Sequence, residues 1–203
     1  MKAMLLFLLT LSMVVMPFAV AQDKDKPADD ANSNAPPKPL SDAMSTWMVG
    51  EWSGTSESSM GAAEEWQKNE MSLDNQFVVM NFTSHFTKVN PEYLKTMAAS
   101  MKMSEQDAEK MMMGSTYKGM GLMTIHPKTG DYIGYWFDSW RGMYKGIGTL
   151  EGNKITMNWE GTMGSSVRTM EKDEKGQLIQ TYKEKDMSGS VVEGKSVFTR
   201  KEK

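Results

Sequence analysis

The chain has 203 residues, a formal net charge of −3 and no cysteine. A chain without cysteine has no disulfides, no thiol catalysis and no thiolate metal site. Charges of both signs are mixed along the sequence, and no basic block could neutralise a run of phosphates, so nucleic acid is not an expected partner.

The first segment has the pattern of a cleavable signal peptide. Lys2 is followed by an apolar run over residues 3–15 and by Ala-Val-Ala at 19–21. A basic start, an apolar middle and an A-x-A site predict a signal peptide over residues 1–21. The apolar run is short for a membrane span of about 20 residues, and no second run of that length follows. We therefore expect a periplasmic or secreted bacterial protein without a membrane span in its mature part.

Residues 22–41 are predicted to form a disordered polar leader. They are rich in charge, Ala, Asn and Pro, and they show no apolar periodicity. Such a segment cannot bury enough surface to offset its ordering entropy. The remaining residues, 42–203, have the length of one domain with one hydrophobic core.

Downstream of the leader, short β-type segments are separated by turn residues. Ile155, Met157 and Trp159 alternate with polar residues, and Asp74-Asn75 and Glu151-Gly152-Asn153 are typical turn sequences. The predicted strands cover 47–57, 64–73, 76–88, 116–126, 131–138, 142–150, 154–160, 164–172, 177–185 and 190–200. About ten strands at hairpin spacing predict an all-β fold, a single up-and-down antiparallel barrel, because closing the sheet removes both free edges. A β-sandwich is the alternative, and it would usually need Greek-key crossovers through longer loops.

One interruption falls between the third and fourth predicted strands. Asn90 and Pro91 are typical of a helix start, Ser104 has the capping-box spacing to Asp107, and Gly114 is a typical stop. We expect two short helices that form a lid over one mouth of the barrel. The apolar residues predicted for this lid are Leu94, Met97, Met101, Met111 and Met112.

The ends of the predicted barrel sequence indicate how the sheet closes. Gly50 and Trp52 form a G-x-W element in the first strand, and Arg200 ends the last strand. This combination resembles the calycin superfamily of lipocalins and fatty-acid-binding proteins. The resemblance implies a structural role, in which Trp52 plugs one end and Arg200 stacks over it. A guanidinium over an indole ring contributes about 0.5 to 2 kcal/mol.

Further segments resemble two other groups of barrels. MTIHPKTGDY at 123–132, YWFDS at 135–139 and GIGT at 146–149 resemble an uncharacterised family of bacterial proteins with a lipocalin-like barrel. That resemblance implies a fold and no activity. Gly50, Trp52 and Gly54 also resemble the start of nitrobindin-type barrels, which hold haem through a histidine near the carboxyl end. This chain has no histidine after His126, a departure that argues against haem.

Aromatic and polar residues on the predicted strands suggest a binding cavity, since ligand sites combine aromatic surface with a few polar groups. The candidate lumen residues are Trp66, Met80, Phe82, His85, Trp136 and Trp159. Core filling is the alternative for each tryptophan, and the orientation of His85 stays open. No G-x-S-x-G, H-E-x-x-H or G-x-x-x-x-G-K motif occurs, so enzyme activity is unsupported, and we expect no cofactor and assign no metal-ligand residues. We expect a non-enzymatic barrel that binds a small apolar or amphipathic ligand.

The 22 methionines allow three interpretations. Met adapts to irregular packing and to interfaces that must part and close again. Thioethers also bind Cu(I), and exposed thioethers scavenge oxidants by forming sulfoxides that reductases can restore. The sequence does not choose between packing, a Cu(I) protein and an oxidant scavenger, nor does it give the oligomeric state.

Overall fold

The computed structural model describes residues 36–187 and 189–202. The predicted signal peptide and most of the predicted leader lie outside the described residues, so both stay predictions. At the end of the leader, the backbone N–H of Leu40 donates to the carbonyl oxygen of Asn75 at 2.8 Å, and the Leu40 side chain packs against the core. Within the described ranges, no helix has the length and apolar character needed to span a membrane.

The described residues form ten strands in one closed antiparallel barrel. The strands are β1 (Gly50–Ser58), β2 (Gly61–Ser72), β3 (Phe77–Val89), β4 (Thr116–Ile125), β5 (Tyr132–Asp138), β6 (Met143–Glu151), β7 (Lys154–Gly161), β8 (Gly164–Lys172), β9 (Leu178–Asp186) and β10 (Val191–Arg200). Each strand pairs with its neighbours in the chain, and β1 also pairs with β10, from Trp52 opposite Arg200 to Ser58 opposite Gly194. The predicted up-and-down barrel is therefore confirmed, and the sandwich is excluded.

Three helices accompany the barrel in this part of the chain: α1 (Ala43–Met48), α2 (Pro91–Met101) and α3 (Glu105–Gly114). The last two confirm the predicted insertion between β3 and β4. Asn90 caps α2 by accepting from the backbone N–H of Glu92, and Ser104 caps α3 by accepting from that of Asp107. Such caps satisfy backbone donors that have no partner within a helix.

Helix α1 lies where the first predicted strand was expected to begin. That strand was predicted over 47–57, whereas α1 ends at Met48 and β1 begins at Gly50. The Asp42 side chain caps α1 by accepting from the backbone N–H of Ser45 at 2.8 Å. Burial of Met44 and Met48 in the core then holds this short helix in place.

The barrel interior is filled at the end where α1 enters, which we call the closed end. Inward-facing side chains from the strands and from α1 form one apolar cluster there. Its largest fully buried members are Met48, Trp52, Val78, Met123, Tyr132, Ile155, Met157, Leu178 and Phe198. All of these strand residues lie near the same end of the barrel, because successive antiparallel strands alternately begin and end there.

Glycines on the inner face make room for aromatic rings that lie against a neighbouring strand. A Cβ atom on Gly146 would lie 2.7 Å from ring carbons of Trp159, and a Cβ atom on Gly121 would lie 2.9 Å from a ring carbon of Trp136. Nonbonded carbons are best separated by about 3.5–4.0 Å, so neither position has room for a side chain. The rings therefore lie along the wall of the barrel.

Candidate ligand site in the barrel

Arg200 joins the first and last strands at the closed end. Its guanidinium carbon lies 4.3 Å from the centroid of the Trp52 ring, and its nitrogens donate to the carbonyl oxygens of Trp47 and Val49. Gly50 adopts a φ of +138°, and a Cβ atom there would lie 2.5 Å from the guanidinium. The structure thus brings together the three residues predicted for barrel closure, and their contacts are with the closed end.

A chain of three side-chain amides, two of them buried, lies next to this core. The Gln180 side-chain nitrogen donates to Gln67 at 2.9 Å, that of Gln67 donates to Asn69 at 3.1 Å, and that of Asn69 donates to the carbonyl oxygen of Met48 at 2.9 Å. A buried amide without partners would cost about 1–3 kcal/mol, so these bonds fix the orientation of each side chain. The chain ties α1, β2 and β9 together at the edge of the apolar core.

Beyond the amides, the inner face becomes polar and aromatic; we call this part the open half. Arg168 and Glu184 form an ion pair across β8 and β9. They share strand faces with the buried Met170 and Leu178, so they point into the barrel. Both side chains are nevertheless 36% exposed. Their exposed surface therefore lies on the inner face, toward the end of the barrel opposite α1.

Aromatic rings line the same half. The indole nitrogen of Trp136 donates to the Tyr117 hydroxyl at 3.0 Å, and that hydroxyl donates to the Asp138 carboxylate at 3.4 Å. The guanidinium carbon of Arg168 lies 5.3 Å from the centroid of the Tyr182 ring. Burial raises the pKa of Tyr117 and of Tyr182, so both hydroxyls stay protonated at neutral pH and can donate hydrogen bonds.

Glu65 is the buried carboxylic acid of the open half. It is 5% exposed, it faces inward from β2, and its Oε2 makes no hydrogen bond within the described residues. Burial raises the pKa of this carboxyl, and the nearby hydroxyls of Ser196 and Ser56 and the charge of Arg168 oppose the shift. A protonated, uncharged carboxyl is therefore favoured more here than in water.

The six predicted lumen residues do not lie together. Phe82 and Trp136 line the open half, Met80 and Trp159 belong to the core, and Trp66 and His85 lie on the outer face. For Trp66, which is 38% exposed, the lumen prediction is wrong because its neighbours Glu65 and Gln67 take the inward positions of β2. His85 has the opposite parity from the inward-facing Met80, and its Nδ1 donates to the carbonyl oxygen of Ser115 at 3.1 Å.

The charged groups of the open half are absent from the sequence-based list. In the sequence alone, Arg168 and Glu184 resemble surface charges, because most of their neighbours are polar and Glu184 lies between Lys183 and Lys185. A signal was present, because Arg168 has the same strand parity as Met170. Side chains two residues apart on a strand share a face, so the apolar Met170 on β8 was sufficient to place Arg168 on the inner face.

The predicted lid residues lie at the end of the barrel opposite α1. Leu94 and Met112 are buried in a separate cluster with Val89, and Met97 packs against it. Met101 and Met111 are 48% and 40% exposed. The helices thus have a small core of their own at the end of β3, and their role as a lid stays a prediction. In the described ranges, no group of three or more His, Asp or Glu side chains is placed to hold a metal ion.

No protein-family model matches this chain, and no curated protein matches its sequence. Among solved structures, the barrel is similar to that of an S-type phycobiliprotein lyase from Guillardia theta, with a TM-score of 0.52 and 8% sequence identity. The alignment covers 78% of this chain and 91% of the lyase chain. At this identity the likeness shows the fold alone, which is a lipocalin-like barrel.

Proposed function

We propose that this protein binds a small amphipathic molecule in the open half of its barrel and serves binding rather than catalysis. The observation that supports this most directly is the accessible ion pair of Arg168 and Glu184 on the inner face. Charged side chains on an inner face are costly unless they are paired, and this pair also keeps exposed surface that a ligand could contact. Aromatic rings suit the apolar body of a ligand, and the charged and hydroxyl groups suit its polar part.

Export is part of the proposal. The N-terminal pattern supports a signal peptide cleaved after Ala21, so we propose that the ligand is met outside the cytoplasm. Amino-terminal sequencing of protein recovered from a periplasmic extract tests this step, with Gln22 as the expected first residue. An intact amino terminus beginning at Met1 would contradict it.

Native mass spectrometry of the protein purified from its own cells tests binding directly. We expect a fraction of molecules to carry an additional mass that disappears after denaturation. Tryptophan emission provides a second test, because Trp136 lines the open half whereas Trp66 lies outside. A ligand should change the emission of the parent protein and of Trp66→Phe, and most of this change should be lost in Trp136→Phe. No bound mass, together with no emission change for any amphipathic probe, would overturn the proposal.

A further inference from the structure

We infer that the open half selects an organic cation, such as a primary amine attached to an apolar body, with Glu65 as its counter-charge. This inference rests on the proposed function and specifies the ligand class for the same site. It follows from the balance of charges on the inner face, from the faces of the aromatic rings and from the unpaired carboxyl oxygen.

The inward-facing charges of the open half are mostly acidic. Glu65, Asp138 and Glu184 face inward there, against the single guanidinium of Arg168 in the described ranges. Arg168 is paired with Glu184, so an anionic ligand would have to displace Glu184 from it. Asp138 accepts from the backbone N–H groups of Trp140 and Gly142, which occupy one of its oxygens. Glu65 and Asp138 thus form no ion pair within the described residues, and Glu65 is the more deeply buried of the two.

The rings present their faces to the interior. Gly119 and Gly121 lie behind the Trp136 ring, and Gly194 lies behind Tyr182, so the opposite face of each ring is turned toward the lumen. Ring faces carry the negative part of the aromatic quadrupole and attract ammonium and guanidinium groups. The position of Arg168 over Tyr182 shows that this wall already accepts one cation.

Glu65 adds a proton-linked component. Its carboxyl group hydrogen-bonds with the Ser196, Ser56 and Ser84 hydroxyls of β10, β1 and β3, while its Oε2 has no partner within the described residues. Arg168 on β8 and Tyr182 on β9 are the titratable groups coupled to it by charge. Burial favours the protonated carboxyl in the empty protein. A cation in the lumen favours the ionised form, so cation binding and ionisation of Glu65 should strengthen each other. The ionised carboxylate then balances the ligand charge.

Three probes with one fluorophore test the inference: dansylcadaverine, which carries a primary amine, dansylamide, which is neutral, and dansylglycine, which carries a carboxylate. At pH 7 we expect the amine to bind at least about tenfold more tightly than the neutral probe, and the carboxylate more weakly than either. Calorimetry over a range of pH should show that the affinity for the amine rises as the pH rises through the raised pKa of Glu65, while the affinity for the neutral probe stays constant.

Glu65→Gln removes the charge and keeps the shape, and we expect it to lower the affinity for the amine about tenfold while that for dansylamide is unchanged. Glu64→Gln is the matched control, because Glu64 is the adjacent residue on the same strand and is exposed on the outer face. Should Glu65→Gln fail to fold, Glu184→Gln gives a second reading: freeing Arg168 should shift the preference from the amine toward the carboxylate.

The outcomes separate the two proposals. If none of the three probes binds, the proposed function fails. If probes bind but the neutral or carboxylate probe binds as tightly as the amine, or if Glu65→Gln and Glu64→Gln behave alike, the cation inference is overturned and the binding function stands.

Discussion

Replacing Gly146 with alanine should destabilise the barrel by crowding the ring of Trp159. Gly146 lies on β6 directly opposite Trp159 on β7. An alanine Cβ there would lie 2.7 Å from two ring carbons and 2.9 Å from a third. Since nonbonded carbons prefer about 3.5–4.0 Å, the ring has to move by roughly 1 Å. Gly134 limits this movement, because its backbone lies close to the far edge of the same ring. A Cβ atom built on Gly134 would lie 2.5 Å from a carbon of that edge.

We expect a cost of about 1–3 kcal/mol, the range for an extra carbon in a packed interior. Trp159 is 5% exposed and its indole nitrogen has no hydrogen-bond partner among the described residues, so packing alone accounts for the loss. Alanine opposes it by about 0.4–1 kcal/mol, because it restricts the unfolded chain more than glycine does. The net loss of about 1–2 kcal/mol should lower the melting temperature by about 2–8 °C, at about 2–4 °C per kcal/mol for a domain of this size.

Urea unfolding followed by circular dichroism measures the free energy of unfolding. Gly114→Ala is the control, since a Cβ atom there has no neighbour within 4 Å, and it should be neutral or stabilising. The double variant Gly146→Ala/Trp159→Leu tests the cause, because alanine should add little further loss once the ring is gone. Parent-like stability of Gly146→Ala would refute the reasoning, as would a double variant whose loss equals the sum of the two single losses.

Three further substitutions test other parts of the structure. Glu65→Gln should raise the free energy of unfolding at pH 7 by about 1 kcal/mol. Because the pKa of this carboxyl is raised in the folded protein, the parent loses stability as the pH rises from 4.5 through that raised pKa. The gain in the free energy of unfolding of Glu65→Gln should therefore vanish below pH 4.5. Equal gains at pH 4 and pH 7 would contradict this. Arg200→Lys should cost about 1–2 kcal/mol in urea unfolding, because an ammonium cannot bond two carbonyls while stacking on Trp52, and an unchanged midpoint would count against that role. Ser104→Ala should cost about 1 kcal/mol locally, seen as faster amide exchange in α3 with an unchanged barrel, and exchange like that of the parent would exclude the cap.

The strands could be predicted from sequence because their signals are local. The segment predicted over 154–160 is β7, Lys154–Gly161, and its alternating Ile155, Met157 and Trp159 all face inward. Helix α1 was missed for the same reason, since six residues are too short for helical periodicity to be seen. Its N-cap, Asp42, was the one local signal available.

The open half was harder to predict because its strands carry polar residues on both faces. On β2, Glu65 and Gln67 point inward while Glu64 and Trp66 point outward. The large apolar side chain of Trp66 made its own face of the strand look like the buried one. The correct phase depends on pairing with distant strands, where Glu65 lies opposite Ser84. That information is tertiary and is not present in the alternation of β2 alone.

The helical insertion is a separable module. Its buried residues, Leu94, Ala98, Ala108 and Met112, form their own cluster with Val89. The flanking strands meet without it, because His85 pairs with Thr116. A shortened chain that joins β3 to β4 by a tight hairpin should therefore keep the ladder continuous around the whole circumference. Deletion or exchange of this segment should then leave the barrel intact and change only the helices at the end opposite α1.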